Sequence, residues 1–127
     1  MMITAVEHRA LSEILLSLGV RESHLEPFLE RLTVHRREWS EDVADAQKCI
    51  GQFVYFLPSE KLPVDSSVTH KGVWASHAEE AGGADFLLFF KSGVPQFLEV
   101  GFFGISVPKT IMNGSVADFD FRACGIN

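Results

Sequence analysis

The residues of this 127-residue chain whose types could do chemistry are mainly carboxylates. Acid–base hydrolysis of the glycosidase kind needs two of them flanking a cleft. Glu79, Glu80, Asp85 and Glu99 are the candidates on neighbouring predicted strands, but the first three fall at a loop, where solvation accounts for them. Glu99 differs, because its neighbours Leu98 and Val100 are apolar. A carboxylate buried there would be a functional group, whereas one exposed at a sheet rim would be unremarkable. The histidines are His8, His24, His35, His70 and His77. His70 and His77 are separated by an odd number of residues, which in a strand places them on opposite faces and denies them a shared metal. His70 and Cys49 could meet across strands, but no third and fourth ligand accompany them. The chain has no GxSxG elbow, no phosphate loop and no GxGxxG turn. These observations lead to the expectation of no catalytic residues, no metal and no cofactor.

The acids are clustered. Glu38, Glu41, Asp42 and Asp45 form one group, Glu79, Glu80 and Asp85 a second, and Asp118 and Asp120 a third. Net charge is −6, with 17 acids against 11 Lys and Arg. No basic run is present, so binding driven by phosphate neutralisation, and with it a nucleic-acid partner, is not expected. Acid clusters usually form a solvated surface. Converging on one side, they would present a negative field that speeds capture of a basic protein. The N-terminal MMITAVEHRA lacks the charged and apolar regions of a secretory signal, although Met2 could be the natural start. No apolar stretch approaches the ~20 residues of a membrane span. Two widely separated cysteines, Cys49 and Cys124, suit buried free thiols in a reducing, cytoplasmic compartment.

The elements that must position these groups are partly legible. Thr4-Ala5-Val6-Glu7 fits a capping box, and Leu11, Ile14, Leu15 and Leu18 follow at helical spacing up to a stop at Gly19. Leu25, Phe28, Leu29 and Leu32 predict a second helix over 25–33, with Pro27 in its first turn. Between Thr33 and Lys48, TVHRREW could be a strand with Val34 inward. SEDVADAQK could be a helical turn capped by Ser40, or an acidic loop. Strands are predicted at 49–57, at 68–80 and in the hairpin 85–104, with a half-exposed strand over 115–123 that points Ala117, Phe119 and Phe121 one way. The fold class is α+β in a single domain, 1–127. Two N-terminal helices pack on an antiparallel meander of four to five strands, with 1–48 mainly helical and 49–127 mainly sheet.

The hairpin DFLLFFKSGVPQFLEVGFFG has two registers. A two-residue Ser92-Gly93 loop pairs Phe90 with Pro95 and Phe86 with Glu99. A three-residue loop with a bulge pairs Phe90 with Val94 and gathers Phe86, Leu88, Phe90, Val94, Leu98, Val100 and Phe102 on one face. The second register is preferred, because a one-residue slip would scatter the core face. The opposite face then carries Leu87, Phe89, Phe97, Glu99, Gly101 and Phe103, a mixed surface that either the C-terminal segment or a partner must cover.

The same hairpin, with an apolar strand at Phe86–Phe90, a Ser92-Gly93 turn where Asp is commoner than Ser, and Leu98-Glu99-Val100 followed by Phe102 or Phe103, resembles small bacterial immunity proteins. These belong to polymorphic-toxin and contact-dependent growth inhibition systems. The resemblance covers about residues 49–104. It implies a cytoplasmic, non-catalytic protein that neutralises a cognate toxin domain, often a basic nuclease, by tight binding. On that reading Glu38, Glu41, Asp42, Asp45, Glu79, Glu80 and Glu99 would meet the toxin's charge, with Phe97 and Phe103 supplying apolar contact. Two other readings stay open. One is a small-molecule or enzymatic domain using Glu99 in a sheet cleft, and the other is a homodimer that buries the mixed face.

Overall fold

The computed structural model describes residues 1–103 and 106–121. Cys124, Arg122 and Ala123, which carried expectations above, lie outside the described residues.

Helix α1 (Ala5–Ser17) forms as its local signals require. The Thr4 hydroxyl accepts the Glu7 amide at 3.1 Å, and Glu7 Oε1 accepts the Thr4 amide at 2.8 Å. Gly19 adopts φ +89° just beyond the helix. Its apolar stripe of Val6, Ala10, Leu11, Ile14 and Leu15 is buried. Helix α2 runs over Glu22–Arg31, so it starts and ends earlier than the spacing predicted. Pro27 therefore lies inside the helix rather than in its first turn, and the hydrogen bond to the Ser23 carbonyl is lost. Burial of Leu25, Phe28 and Leu29, at about 2 kcal/mol each, offsets that loss.

Helix α2 ends at Arg31, and later helical structure among the described residues is limited to short 3-10 turns at Lys109–Asn113 and Val116–Asp118. The stretch open between helix and loop is a β-hairpin, β1 (Val34–Asp42) and β2 (Asp45–Phe56). The expected helical turn at Ser40 is thus a strand end, and residues 34–48 belong to the sheet rather than to a helical half. β3 (His70–His77), β4 (Ala84–Lys91) and β5 (Val94–Phe102) follow, then the short β6 (Val107–Pro108) and β7 (Phe119–Asp120). Among the described residues the sheet has seven strands, not four to five, in the order β1-β2-β5-β4-β3-β7, with β6 pairing on β2. Its described pairings are antiparallel. The fold is α+β with both helices at the N-terminal end of the sequence. β2 lies beside β5 rather than β3, so the sheet is not a simple meander. The strand predicted over 115–123 is a 3-10 turn (Val116–Asp118) followed by the two residues of β7. Phe119 and Phe121 point into the core as expected, but Ala117 is exposed.

The β4–β5 hairpin corrects the preferred register. Ser92 and Gly93 form a two-residue loop with φ +50° and +81°, the pattern of a type I′ turn. Lys91 faces Val94 and Phe90 faces Pro95. A bulge follows immediately, so that Phe89 faces Phe97, Leu88 faces Leu98 and Phe86 faces Val100. The bulge sits beside the turn instead of within it. The predicted core face therefore survives at Phe86, Leu88, Phe90, Leu98, Val100 and Phe102, all buried. Pro95 replaces Val94 on that face.

Both helices cover this inner face. An ion pair fastens α1 to it: fully buried Glu7 accepts from Arg37 of β1 at 2.8 and 2.7 Å, forming a two-pronged bridge. Hydrogen bonding to Glu7 raises the Arg37 pKa further. The described segment after Phe103 also goes to the inner side. Val107, Met112, Phe119 and Phe121 are buried in the core. The expectation that the C-terminal segment might cover the opposite face is not met among the described residues.

Candidate functional site

Among the described residues, no segment covers the opposite, outer face of the sheet. Register and side-chain alternation build it as three rows crossing β1, β2, β5, β4 and β3. The first row is Arg36, Tyr55, Phe97, Phe89 and His70. The second is Glu38, Phe53, Glu99, Leu87 and Gly72, and the third is Ser40, Gly51, Gly101, Asp85 and Trp74. Five strands at ~4.8 Å spacing make the face about 19 Å wide.

The first row is a continuous run of ring contacts, stacked at Phe97–Phe89 and tilted at the other pairs. The Arg36 guanidinium lies 4.0 Å from the Tyr55 ring centroid. Tyr55 to Phe97 is 5.6 Å, Phe97 to Phe89 is 4.5 Å with planes 16° apart, and Phe89 to His70 is 5.6 Å. Phe53 adds a ring 6.2 Å from both Tyr55 and Phe97. These aromatics are half-exposed. Cross-strand stacking gives each pair about 0.2–1 kcal/mol, so the platform keeps its shape without a covering layer.

Two carboxylates stand on this face without a hydrogen-bond or ion-pair partner among the described residues. Glu99 is half-buried between Phe53 and Leu87, midway between the two alternatives its neighbours suggested. Asp85 is the second residue of β4, a strand position and not the loop assigned from sequence. It lies between Gly101 and Trp74, and burial raises its pKa above the ordinary value.

The other acids have different surroundings. Glu38 is 3.6 Å from Arg36, and desolvation, followed by the nearby Glu38 carboxylate, raises the Tyr55 pKa. Glu41 binds Lys109 Nζ at 2.9 Å. Asp42 accepts from the Ser106 hydroxyl and the Ala44 amide, which hold its carboxyl below the usual range. Asp45 accepts the Gln47 amide. Glu79 and Glu80 lie in the β3–β4 turn, where their amides donate to His77 Nδ1. The β1–β2 and β3–β4 turns fall at one end of the sheet, since Gly51 and Asp85 flank Gly101 near the end of β5. The first two acidic groups therefore converge at that end. Phe103, just past β5, is half exposed there. The third group lies beside the second: the Ala78 amide donates to the Asp118 carbonyl at 2.9 Å, and Glu79, Glu80 and Asp118 line one cleft.

Chemistry beyond contact is poorly supplied. His70 lies on the outer face and buried Cys49 on the inner, so they do not meet. Burial raises the Cys49 pKa. No group of three His, Cys, Asp or Glu with metal-binding geometry exists among the described residues. No described helix is long and apolar enough to cross a membrane. A cleft of about 260 Å³ lies between Met2, His8 and Leu29, and another of about 190 Å³ beside His77 and Asp118. Neither touches Glu99.

Sequence reasoning found Phe97, Glu99 and Phe103 on one face. Leu87, Phe89 and Gly101 were placed there too; Phe53, Tyr55, His70, Trp74 and Asp85 were missed as parts of the same surface. Alternation in CIGQFVYFL already put Phe53 and Tyr55 together, but only strand order places them beside Phe97. Comparison with protein-family models, curated proteins and solved structures gives no match for this chain.

Proposed function

We propose that the protein is a non-catalytic, cytoplasmic binding protein of the immunity type, which neutralises a cognate toxin domain by occluding it. The observation that carries this reading is the outer face, uncovered among the described residues: a platform of rings on β2, β5, β4 and β3 edged by Arg36 of β1, with two carboxylates that have no partner among those residues. Aromatic side chains anchor protein interfaces because they bury much area at small entropy cost. Unpaired acids beside them select a basic surface, and the net charge of −6 steers such a partner inward. Of the residues expected to meet the toxin, Glu99 and Phe97 lie within the platform. Glu41, Asp42, Asp45, Glu79, Glu80 and Phe103 border it at one end, and Glu38 lies at its β1 edge.

Charge disfavours self-association through this face. A two-fold contact would bring Glu99 and Asp85 of one copy towards the same residues of the other. The test is calorimetric titration with the toxin domain encoded beside this protein's gene. A one-to-one complex that weakens with added salt is expected. Absence of both heat and co-elution would refute the proposal.

A further inference from the structure

The third row of the outer face has a property that the aromatic platform does not explain. Gly51 and Gly101 face each other on β2 and β5 without side chains, Gly51 buried and Gly101 half-exposed, so the accessible floor is at Gly101. At Gly51 the lack of a side chain is enforced, because a Cβ would stand 2.6 Å from the Val100 carbonyl oxygen. At Gly101 it is not, since a Cβ would meet nothing within 4 Å. The backbone there opens directly onto space. On one side of this floor stands Asp85, with Trp74 next to it and its indole lying over Gly83; Ser40 is on the other side, and Glu99 with Phe53 in the row above.

We propose that this glycine-floored slot receives an arginine side chain from a basic loop of the protein partner, clamped between Asp85 and Glu99 and stacked against Phe53 and Trp74. The inference rests on the binding reading above and specifies its partner chemistry. Three arguments select arginine. Asp85 and Glu99 are diagonal neighbours on adjacent strands, about 7 Å apart at Cβ, a separation that a forked guanidinium bridges and a single ammonium does not. A planar cation also stacks on indole and phenyl faces, so one group uses both kinds of wall. Asp85 is held in a desolvated setting with no internal cation, which raises its pKa, and an incoming positive charge would relieve that penalty. A divalent cation lacks a third ligand among the described residues. A phosphate backbone would meet two carboxylates, and Arg36 is already engaged by Glu38 and Tyr55.

N-acetyl-L-arginine amide is the probe, titrated into the whole protein to millimolar concentration and followed by amide NMR. Saturable shifts should centre on Gly51, Gly101, Asp85 and the Trp74 indole, with N-acetyl-L-lysine amide binding about tenfold more weakly. Asp85→Asn and Glu99→Gln should each weaken arginine binding about tenfold, the loss of one charge-assisted hydrogen bond. Gly101→Val should block it while the melting temperature stays unchanged, because its side chain enters open space. Shifts that do not saturate, or that survive both Gly101→Val and Glu99→Gln, would overturn the proposal. So would binding of a single-stranded oligonucleotide on the aromatic row in preference to the arginine amide. If the toxin domain binds the wild type and these variants equally, the slot is wrong and the binding reading stands. If the toxin domain fails to bind at all while the arginine amide still binds, the reverse holds.

Discussion

Replacement of Arg37 by Met tests how the helical layer holds the sheet. Glu7 is fully buried and has three described donors: the Thr4 amide at 2.8 Å and two guanidinium nitrogens at 2.7 and 2.8 Å. Arg37→Met removes two of the three and leaves a carboxylate with no counter-charge, although the amide and the start of α1 still favour it. Breaking a buried pair in this way costs about 3–5 kcal/mol, a large part of the ~5–15 kcal/mol that holds a domain together. Unfolding entropy of ~2.1 cal/mol/K per residue over 127 residues gives about 0.27 kcal/mol/K, so the melting temperature should fall by about 11–19 °C. Calorimetric melts of Arg37→Met, Glu7→Gln and the double variant complete a cycle. Glu7→Gln should be milder than Arg37→Met, because the amide keeps the oxygen that caps Thr4. The pair should couple by at least about 2 kcal/mol, since the residues touch. A fall of under about 3 °C for Arg37→Met, or coupling below about 0.5 kcal/mol, would refute this account of how α1 is anchored.

Three further outcomes follow from single sites. Burial raises the folded-state pKa of Asp85 above its unfolded value, so its protonated form favours folding, and that stability is lost as pH rises through the folded value. Asp85→Asn should therefore melt higher than wild type at pH 7, with the gap closing as pH falls below about 4; a gap that does not depend on pH would contradict this. Ser92 holds a left-handed backbone at φ +50°, so Ser92→Asn should stabilise by about 0.5 kcal/mol and Ser92→Val should destabilise by about 1–2 kcal/mol in urea titrations. Gln52 Oε1 is buried without a partner, and Gln52→Met should raise stability by about 1 kcal/mol; a loss of that size would show that the amide oxygen is satisfied.

Where the signal was local, the sequence carried it. Thr4, Glu7 and Gly19 define α1 because capping and left-handed termination involve residues within a turn of one another. The inner face of the β4–β5 hairpin was legible for the same reason, as alternation survives a shift of the bulge. The position of the bulge was not, because it depends on whether Ser92 accepts a positive φ, and Ser is not a residue that announces one. The β1–β2 hairpin was hidden by its turn. Val43 and Ala44 are poor turn residues, and the reversal is supported instead by Asp42, whose carboxylate accepts the Ala44 amide. Acids at that point imitate a helix start. The binding face was half visible: Phe97 and Glu99 share a strand, but Tyr55, Phe53 and Trp74 reach them only through the β2–β5 and β3–β4 pairings. Strand order of this kind is set by long-range burial, which periodicity does not encode. Gly101 was placed on the mixed face, but its position beside Gly51 appears only with the β2–β5 pairing.

The central claim is that the uncovered outer face is the binding surface, and NMR cross-saturation in the complex with the neighbouring toxin domain tests it most directly. Saturation transferred from the toxin is predicted at the amides of Phe53, Tyr55, Leu87, Phe89, Phe97 and Glu99. A complex whose saturation is confined to α1 and α2, with those amides untouched, would contradict it.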